Sequence, residues 1–283
     1  MIELPEATTI ARQMAGALTG RRIMDAVAGT SPHKFAFYTG DPESYAGQLR
    51  GLTLGPARPN GNMILVPVGD SLHLVLGEGG ERILLHAPGI VPPAKHQLWL
   101  AFDDGSHLTV SIQGWGFVGL MDPPTLAAHP YAGRSLPHPL AEDYTLDRFQ
   151  VLFDALPEGD PRSIKAFIVS DPRVSGVGNG CLQDILFHAR LHPRRRAVEL
   201  DREQQAALYD ALRDTLQEMV GKGGRDSDLD LYGRPGGYVR LLHSGTAGKP
   251  CPVCGTAIEK QSYLGGSVYT CPACQPEPAR KAR

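Results

Sequence analysis

The sequence predicts an α+β chain in three parts: an N-terminal helix plus β-sandwich, a helical domain, and a C-terminal four-cysteine finger. Three observations lead there. Helical spacing of apolar residues opens the chain and returns after residue 141, while short β-type runs fill most of the interval. Five prolines (Pro123, Pro124, Pro130, Pro137 and Pro139) crowd residues 121–141 and separate the two regimes. Four of the five cysteines fall between Gly245 and Arg283, where there is little apolar side chain to bury. At 283 residues the chain has room for two or three domains, and with 42% hydrophobic residues its 33 Gly and 24 Pro signal turns rather than disorder.

Taken in order, Leu4, Ala7, Ile10, Ala11, Met14 and Leu18 lie on one face of a helix over 4–18, with Pro5 in the tolerant first turn and Gly20 as a stop. From Ile23 to Leu120 the runs are short. Examples are Met63–Val66, Leu72–Leu76, Arg82–Leu85, Leu98–Phe102 and Leu108–Ile112, with a hairpin signal at Asp103-Asp104-Gly105. Strands at that spacing predict a sandwich or barrel. The proline density of 123–141 excludes both helix and central strand, so that segment is expected to be a linker. Helical periods follow at Leu146–Phe153, Ala166–Val169 and Leu182–Ala189, and a long amphipathic helix spans Glu199–Val220. The expected boundaries are therefore 1–122, a linker at 123–141, 142–244 for the helical domain and 245–283 for the finger.

Cys251-Pro252-Val253-Cys254 and Cys271-Pro272-Ala273-Cys274 are two C-x-x-C knuckles 16 residues apart. Four thiolates at this spacing close a tetrahedral site on one Zn²⁺, and four protein ligands leave no open position, so the site is expected to be structural. Redox-active C-x-x-C pairs are the alternative. Cys181 has no partner motif and is expected to be a packing thiol in a helix. Zinc ribbons either bind nucleic acid or hold proteins together, and the knuckles alone do not choose.

Charge is segregated along the chain. The formal net charge is only −2, yet Arg162–Arg196 carries seven Lys/Arg against two Asp, a net of +5, and Ala197–Tyr232 carries four basic against nine acidic residues, a net of −5. That pattern suits one face meeting a polyanion. Within the basic stretch, Val174-Ser175-Gly176-Val177-Gly178-Asn179-Gly180 could present backbone N–H groups to a phosphate at a helix N-terminus. An ordinary glycine turn in a helical hairpin fits the same residues. No run of about 18 apolar residues exists, which excludes a membrane-spanning helix. The acidic opening Met1–Glu6 has no signal-peptide character, so a cytoplasmic, reducing location is expected.

The motifs, in their order, resemble the formamidopyrimidine-DNA glycosylase and endonuclease VIII family of base-excision repair enzymes. Glu3-Leu4-Pro5-Glu6 resembles the family's ELPE opening. Val177-Gly178-Asn179 with Asp184-Ile185-Leu186-Phe187 and Leu191-His192-Pro193 resembles its helix–two-turn–helix motif. Gly236-Gly237-Tyr238 resembles the segment before the finger, and Thr270–Gln275 the end of its zinc finger. The resemblance implies a monomeric, nucleoid-associated enzyme. It would bind double-stranded DNA carrying a damaged base or abasic site in a cleft between the β-sandwich and the helical domain. By the same resemblance, Glu3 would protonate the sugar ring oxygen or position water, Glu6 would support it, and Lys165, Gly178, Asn179 and Arg173 would contact DNA.

The departures cluster at the reacting end. Ile2 stands where the family has an N-terminal proline whose secondary amine attacks the sugar; Ile disfavours removal of Met1, so the attacking amine would be that of Met1, displaced by one residue, or there would be none. The family's β-domain lysine aligns near Asn62 and its finger arginine near Gly266. The side chains that fill the space of a flipped base align near Ala87 and within Gln113–Phe117, where Phe117 resembles a family residue; Trp115 is either a wedge or a core residue. The expected activity is therefore a DNA glycosylase in which AP lyase chemistry is diminished. The alternative is a non-catalytic protein of the same fold that recognises damaged DNA.

Overall fold

The computed structural model describes residues 1–134, 137–170 and 174–278. It divides into two compact units, Met1–Leu136 with Met219–Tyr238, and Pro137–Glu218 with Val239–Arg283.

The first unit opens with helix α1 (Leu4–Leu18), whose six predicted face residues are all buried. Two sheets follow. One has the order β1-β7-β8-β6, from Ile23–Ala28, Leu98–Phe102, His107–Ile112 and Glu81–His86. The other has the order β2-β9-β5-β4-β3, from Ala36–Tyr38, Gly116–Met121, Leu72–Gly77, Met63–Val68 and Arg58–Asn60. Because side chains alternate faces along a strand, Leu98, Leu100, Leu108 and Val110 of the first sheet meet Ile64, Val66, Leu74, Leu76, Val118 and Leu120 of the second in one core. Helix α1 closes that core with Ile10, Ala11 and Met14, and a short helix α2 (Tyr45–Leu49) adds Tyr45 and Leu49.

The proline-rich segment corrects the expectation of a helix-free linker. Pro123–Ala128 forms a helix, α3. Its prolines fall in the first turn, where their missing N–H groups have no intrahelical partner to lose, and the Asp122 side chain accepts from the Thr125 N–H at 2.8 Å.

Met219–Tyr238 lies inside the 142–244 range read as the helical domain, yet it packs with the first unit. Its Leu231 enters the sandwich core and its Arg225 pairs with Glu3 and Glu6 at the start of α1.

The second unit holds α4 (Leu146–Asp154), a π-helical turn at Ala166–Ser170, α5 (Asn179–His188) and most of α6 (Arg202–Gly221). Two boundaries differ from the periodicity. Ala166–Val169 carries helical spacing but is too short to propagate as an α-helix. The long helix starts at Arg202 rather than Glu199, because the Asp201 side chain accepts from the Gln204 N–H at 2.8 Å and ends the preceding 3₁₀ turn, Ala197–Glu199. After it comes a two-stranded hairpin, β10 (Glu259–Tyr263) and β11 (Gly266–Thr270). Helix α5 is stitched to this C-terminal region along one face. Gln183 accepts from the Tyr269 N–H at 3.0 Å, and the fully buried Asp184 carboxylate accepts from the Leu241 and Leu242 N–H groups, both at 2.9 Å. No helix among the described residues is long and apolar enough to cross a membrane.

Candidate functional site

The N-terminal end of α1 gathers charge. Glu3, Glu6 and Arg225 are each no more than 3% exposed at their side chains. The Arg225 guanidinium donates through Nη1 to Glu3 Oε1 (2.9 Å), through Nε to Glu6 Oε1 (3.0 Å), and through Nη2 to Glu6 Oε2 (2.7 Å) and the Met1 carbonyl (2.7 Å). Glu6 also accepts from the backbone N–H groups of Glu3 and Arg225, both at 3.1 Å. Its two oxygens thus meet four donors, which makes Glu6 a fixed anchor for the guanidinium. A planar fork suits this task better than a lysine ammonium, since two carboxylates and a carbonyl must be met in one plane.

Beside this cluster the Met1 ammonium pairs with Asp228. Burial opposes charge on Asp228, but the nearby Arg225 guanidinium and the Met1 ammonium outweigh it and hold the carboxyl below its ordinary range. Met1, Ile2, Glu6, Asp228, Glu81 and Trp115 are among the residues lining a cavity of about 270 Å³. Ile2, at the position of the expected proline, is buried and contributes to the sandwich core. Trp115 is 40% exposed at the cavity, whereas Phe117, the residue expected to fill a flipped base's space, is only 7% exposed and packs with Met63, Leu65 and Val75. Phe117 lies within β9 with its side chain in the core, whereas Trp115 precedes the strand and lies in the loop, outside its alternation. Ala87 follows β6, six residues and roughly 20 Å of strand beyond Glu81.

Glu81 was not singled out from the sequence. It is 6% exposed, and burial pushes its carboxyl up to about 7, although Phe117 and Gly79 N–H donors and the Met1 ammonium pull the other way.

The second unit carries two further constellations. Lys165, 2% exposed, donates from Nζ to the Tyr263 carbonyl at 2.7 Å, and burial lowers the pKa of its ammonium. Asn179, first residue of α5 after the N-cap Gly178, donates from Nδ2 to the Ser267 carbonyl at 3.0 Å. Gly266 completes the group, since a Cβ there would lie 3.6 Å from both Lys165 Nζ and Asn179 Nδ2. The finger hairpin therefore meets Lys165 and Asn179 at the point where this chain has no side chain. Arg173 lies outside the described residues.

The thiols of Cys251, Cys254, Cys271 and Cys274 lie within 4.8 Å of one another and could hold a metal ion. Three of their separations are 3.4, 3.6 and 3.9 Å. A tetrahedron with metal–sulfur bonds of about 2.3 Å has sulfur–sulfur edges of about 3.8 Å, so the geometry suits a tetrathiolate ion. Cys181 is buried in α5, as expected of a packing thiol.

Comparison with known proteins decides the family. A model described as the formamidopyrimidine-DNA glycosylase N-terminal domain matches residues 1–113, and one described as the formamidopyrimidine-DNA glycosylase H2TH domain matches residues 136–229. The formamidopyrimidine-DNA glycosylase of Symbiobacterium thermophilum is 31% identical over 98% of this chain and 90% of its own length. That of Salinispora arenicola is also 31% identical, over 99% and 98%. The chain belongs to the formamidopyrimidine-DNA glycosylase family. The crystal structure of the MutM (Fpg) protein from Thermus thermophilus superposes with a TM-score of 0.81 at 26% identity, covering 98% of this chain and all of that one. The Lactococcus lactis Fpg in complex with abasic-site DNA shares the fold, with a TM-score of 0.81 at 23% identity over 97% of this chain and all of that one.

Of the family-type residues proposed from sequence, the structure brings Met1, Glu3 and Glu6 together in the first unit. In the second it brings Lys165, Gly178 and Asn179 together, and separately the four cysteines. It adds Arg225, Asp228 and Glu81. Arg225 and Asp228 sit in Gly223-Gly224-Arg225-Asp226-Ser227-Asp228, an acidic, glycine-rich stretch that resembles an exposed turn when only neighbours in sequence are considered. No local pattern marks an arginine for pairing with carboxylates so distant along the chain.

Two outcomes follow from these charges. Arg225→Ala leaves the Glu3 and Glu6 carboxylates buried without a counter-charge and is expected to cost roughly 3–5 kcal/mol in a denaturant titration; a loss below about 1 kcal/mol would contradict the described pairing. Glu81 has its folded-state value raised from 4.5 to about 7, so its contribution to stability is complete at low pH and lost between those values as pH rises. Relative to wild type, Glu81→Gln is expected to gain roughly 3 kcal/mol over that window. Equal pH slopes for the two proteins would refute it.

Proposed function

We propose that this chain is a base-excision repair glycosylase that binds double-stranded DNA bearing a damaged base or abasic site, takes the base out of the stack and hydrolyses its N-glycosidic bond. The observation that carries the reading is the cavity at the start of α1, where a family-type N-terminus brings Met1, Ile2 and Glu6 beside Asp228 and the exposed ring of Trp115. A flipped base needs an apolar face to stack on and polar groups at its edge, and this cavity offers both.

Glu3 is the residue assigned to the sugar. Its Oε1 accepts from Arg225, which fixes the orientation of the side chain. In hydrolysis, water adds at C1′ as the bond to the base breaks; the base leaves with the electron pair and takes up a proton. Glu6, with four donors on its oxygens, is assigned to holding Arg225 and thereby Glu3. The Met1 amine takes the place of the proline amine as nucleophile for any lyase step. Its pairing with Asp228 holds it away from a sugar carbon, which supports base release by hydrolysis as the main route and imine chemistry as the minor one.

Lys165 and Asn179, with the backbone at the start of α5, are assigned to DNA phosphates, a contact that requires their bonds to the Tyr263 and Ser267 carbonyls to open. The four thiols are assigned to one structural Zn²⁺, which would hold the hairpin β10–β11 against α5 and leave no open coordination position. A cytoplasmic location at the nucleoid follows from the substrate.

A panel of oxidised, alkylated, deaminated, cross-linked and abasic duplexes tests the reading. Release of at least one base is expected, falling on the order of a hundred-fold or more in Glu3→Gln. Binding throughout the panel with no release would favour the non-catalytic alternative. Borohydride is expected to trap little adduct on wild type and more on Asp228→Asn, mapped to Met1 by mass spectrometry; an adduct elsewhere would remove Met1 from the scheme. Lys165→Ala is expected to weaken binding to all duplexes alike and to lower the slope of log affinity against log salt by about 1. An unchanged slope would withdraw its phosphate contact.

A further inference from the structure

Glu81 lies where three segments meet. Its Oε2 accepts from the Gly79 N–H at 2.9 Å and its Oε1 from the Phe117 N–H at 2.8 Å, so one buried carboxyl joins the loop after β5 to the first residues of β9. The Gly79 carbonyl in turn accepts from the Ile2 N–H at 2.8 Å, which ties the N-terminus to the same junction. Gly80 exchanges bonds with the other wall: its N–H donates to the Trp115 carbonyl and its carbonyl accepts from the Gln113 N–H, both at 2.7 Å. The fit leaves no room for side chains. A Cβ on Gly80 would come 1.8 Å from the Gln113 carbonyl oxygen, and one on Gly116 would come 2.2 Å from Glu81 Oε1.

A carboxylate is the right group for this place, because two backbone N–H donors from different segments converge on it and each oxygen takes one. An aliphatic side chain would leave both donors buried and unpaired, and an amide would turn an NH₂ group toward one of them. Met1, Glu6, Arg82 and Asp228 are the other charged groups on the cavity, and none of them is hydrogen-bonded to Glu81.

We propose that Glu81 is a positioning residue that sets the separation of the two walls of the base-binding cavity, holding the N-terminal Met1–Glu3 segment on one side and the Trp115 loop on the other. This rests on the reading of the cavity as the base site. It assigns to Glu81 a reach that no contact with substrate would give. By fixing Ile2 it fixes the ammonium before it and the Glu3 carboxylate after it, and by fixing Gly80 it fixes the ring on which a base would stack. A displacement of either wall by about an ångström is enough to lower a rate that depends on alignment.

The test uses the full-length protein with Glu81→Ala, which removes both acceptors, and Glu81→Gln, which keeps one. Ile83→Ala, on the same strand and buried in the core, is the control for lost stability. Two readouts need no substrate: acrylamide quenching of Trp115 in a Trp99→Phe background, and the ¹³C resonance of the reductively methylated Met1 amine. Glu81→Ala is expected to raise the quenching constant about two-fold and to shift the Met1 resonance, with Glu81→Gln intermediate and Ile83→Ala unchanged. Unchanged readouts in Glu81→Ala, or equal changes in Ile83→Ala, would overturn the assignment. Base release is a separate arm. On any duplex that wild type processes, Glu81→Ala is expected to lower kcat about ten-fold with KM within about two-fold, and a change confined to KM would count against positioning. If wild type releases no base from the whole panel, the proposed function fails, while the two spectroscopic readouts still decide whether Glu81 holds the walls.

Discussion

A single buried guanidinium organises the N-terminal end of α1. Arg225 brings two acidic side chains and the Met1 carbonyl to one point, and without it Glu3 and Glu6 would both be buried without that counter-charge. Each group alone would be costly to bury. Together they are satisfied, and the satisfaction is geometric: the guanidinium's planar donors meet acceptors on Glu6 in the first turn of α1, on the N-cap Glu3 and on the Met1 backbone. The desolvation cost is offset only because almost every donor and acceptor is used. That is why the segment Met219–Tyr238 belongs with the N-terminal unit rather than with the helices that lead into it.

The same constraint explains how a family fold accommodates Ile2. A bulky apolar residue at that position is drawn into the sandwich core, and its N–H finds the Gly79 carbonyl. Met1 is then left at the cavity with its ammonium against Asp228 and its carbonyl on Arg225. The departure from proline thus exchanges a free secondary amine for a primary ammonium built into a charge network. Gly266 is a second exchange of this kind. With no side chain there, Lys165 and Asn179 reach the hairpin backbone at Tyr263 and Ser267.

Glu81 and Arg225 illustrate two ways of burying charge. Arg225 and its carboxylates are buried with opposite charges in contact. Glu81 meets only backbone dipoles and a more distant ammonium, so desolvation dominates and its carboxyl titrates near neutrality. Both groups hold the N-terminal segment, one through ion pairs and the other through the turn at Gly79.

Much of this was legible from sequence where the signal is local. The face of α1, the short strands, the helical periods and the two C-x-x-C knuckles each declare themselves within a few residues, because helical and strand periodicity and metal-ligand spacing are short-range properties. The ordered appearance of Glu3-Leu4-Pro5-Glu6, Val177-Gly178-Asn179 with the residues that follow it, Gly236-Gly237-Tyr238 and the four-cysteine tail carried the family resemblance. Tertiary structure alone decided which aromatic of Gln113–Phe117 reaches the cavity, since Trp115 and Phe117 have the same strand parity and are separated only by where β9 begins, at Gly116. It alone selected Arg225, Asp228 and Glu81, whose partners are distant in sequence and whose roles arise from burial, which no neighbouring residue encodes.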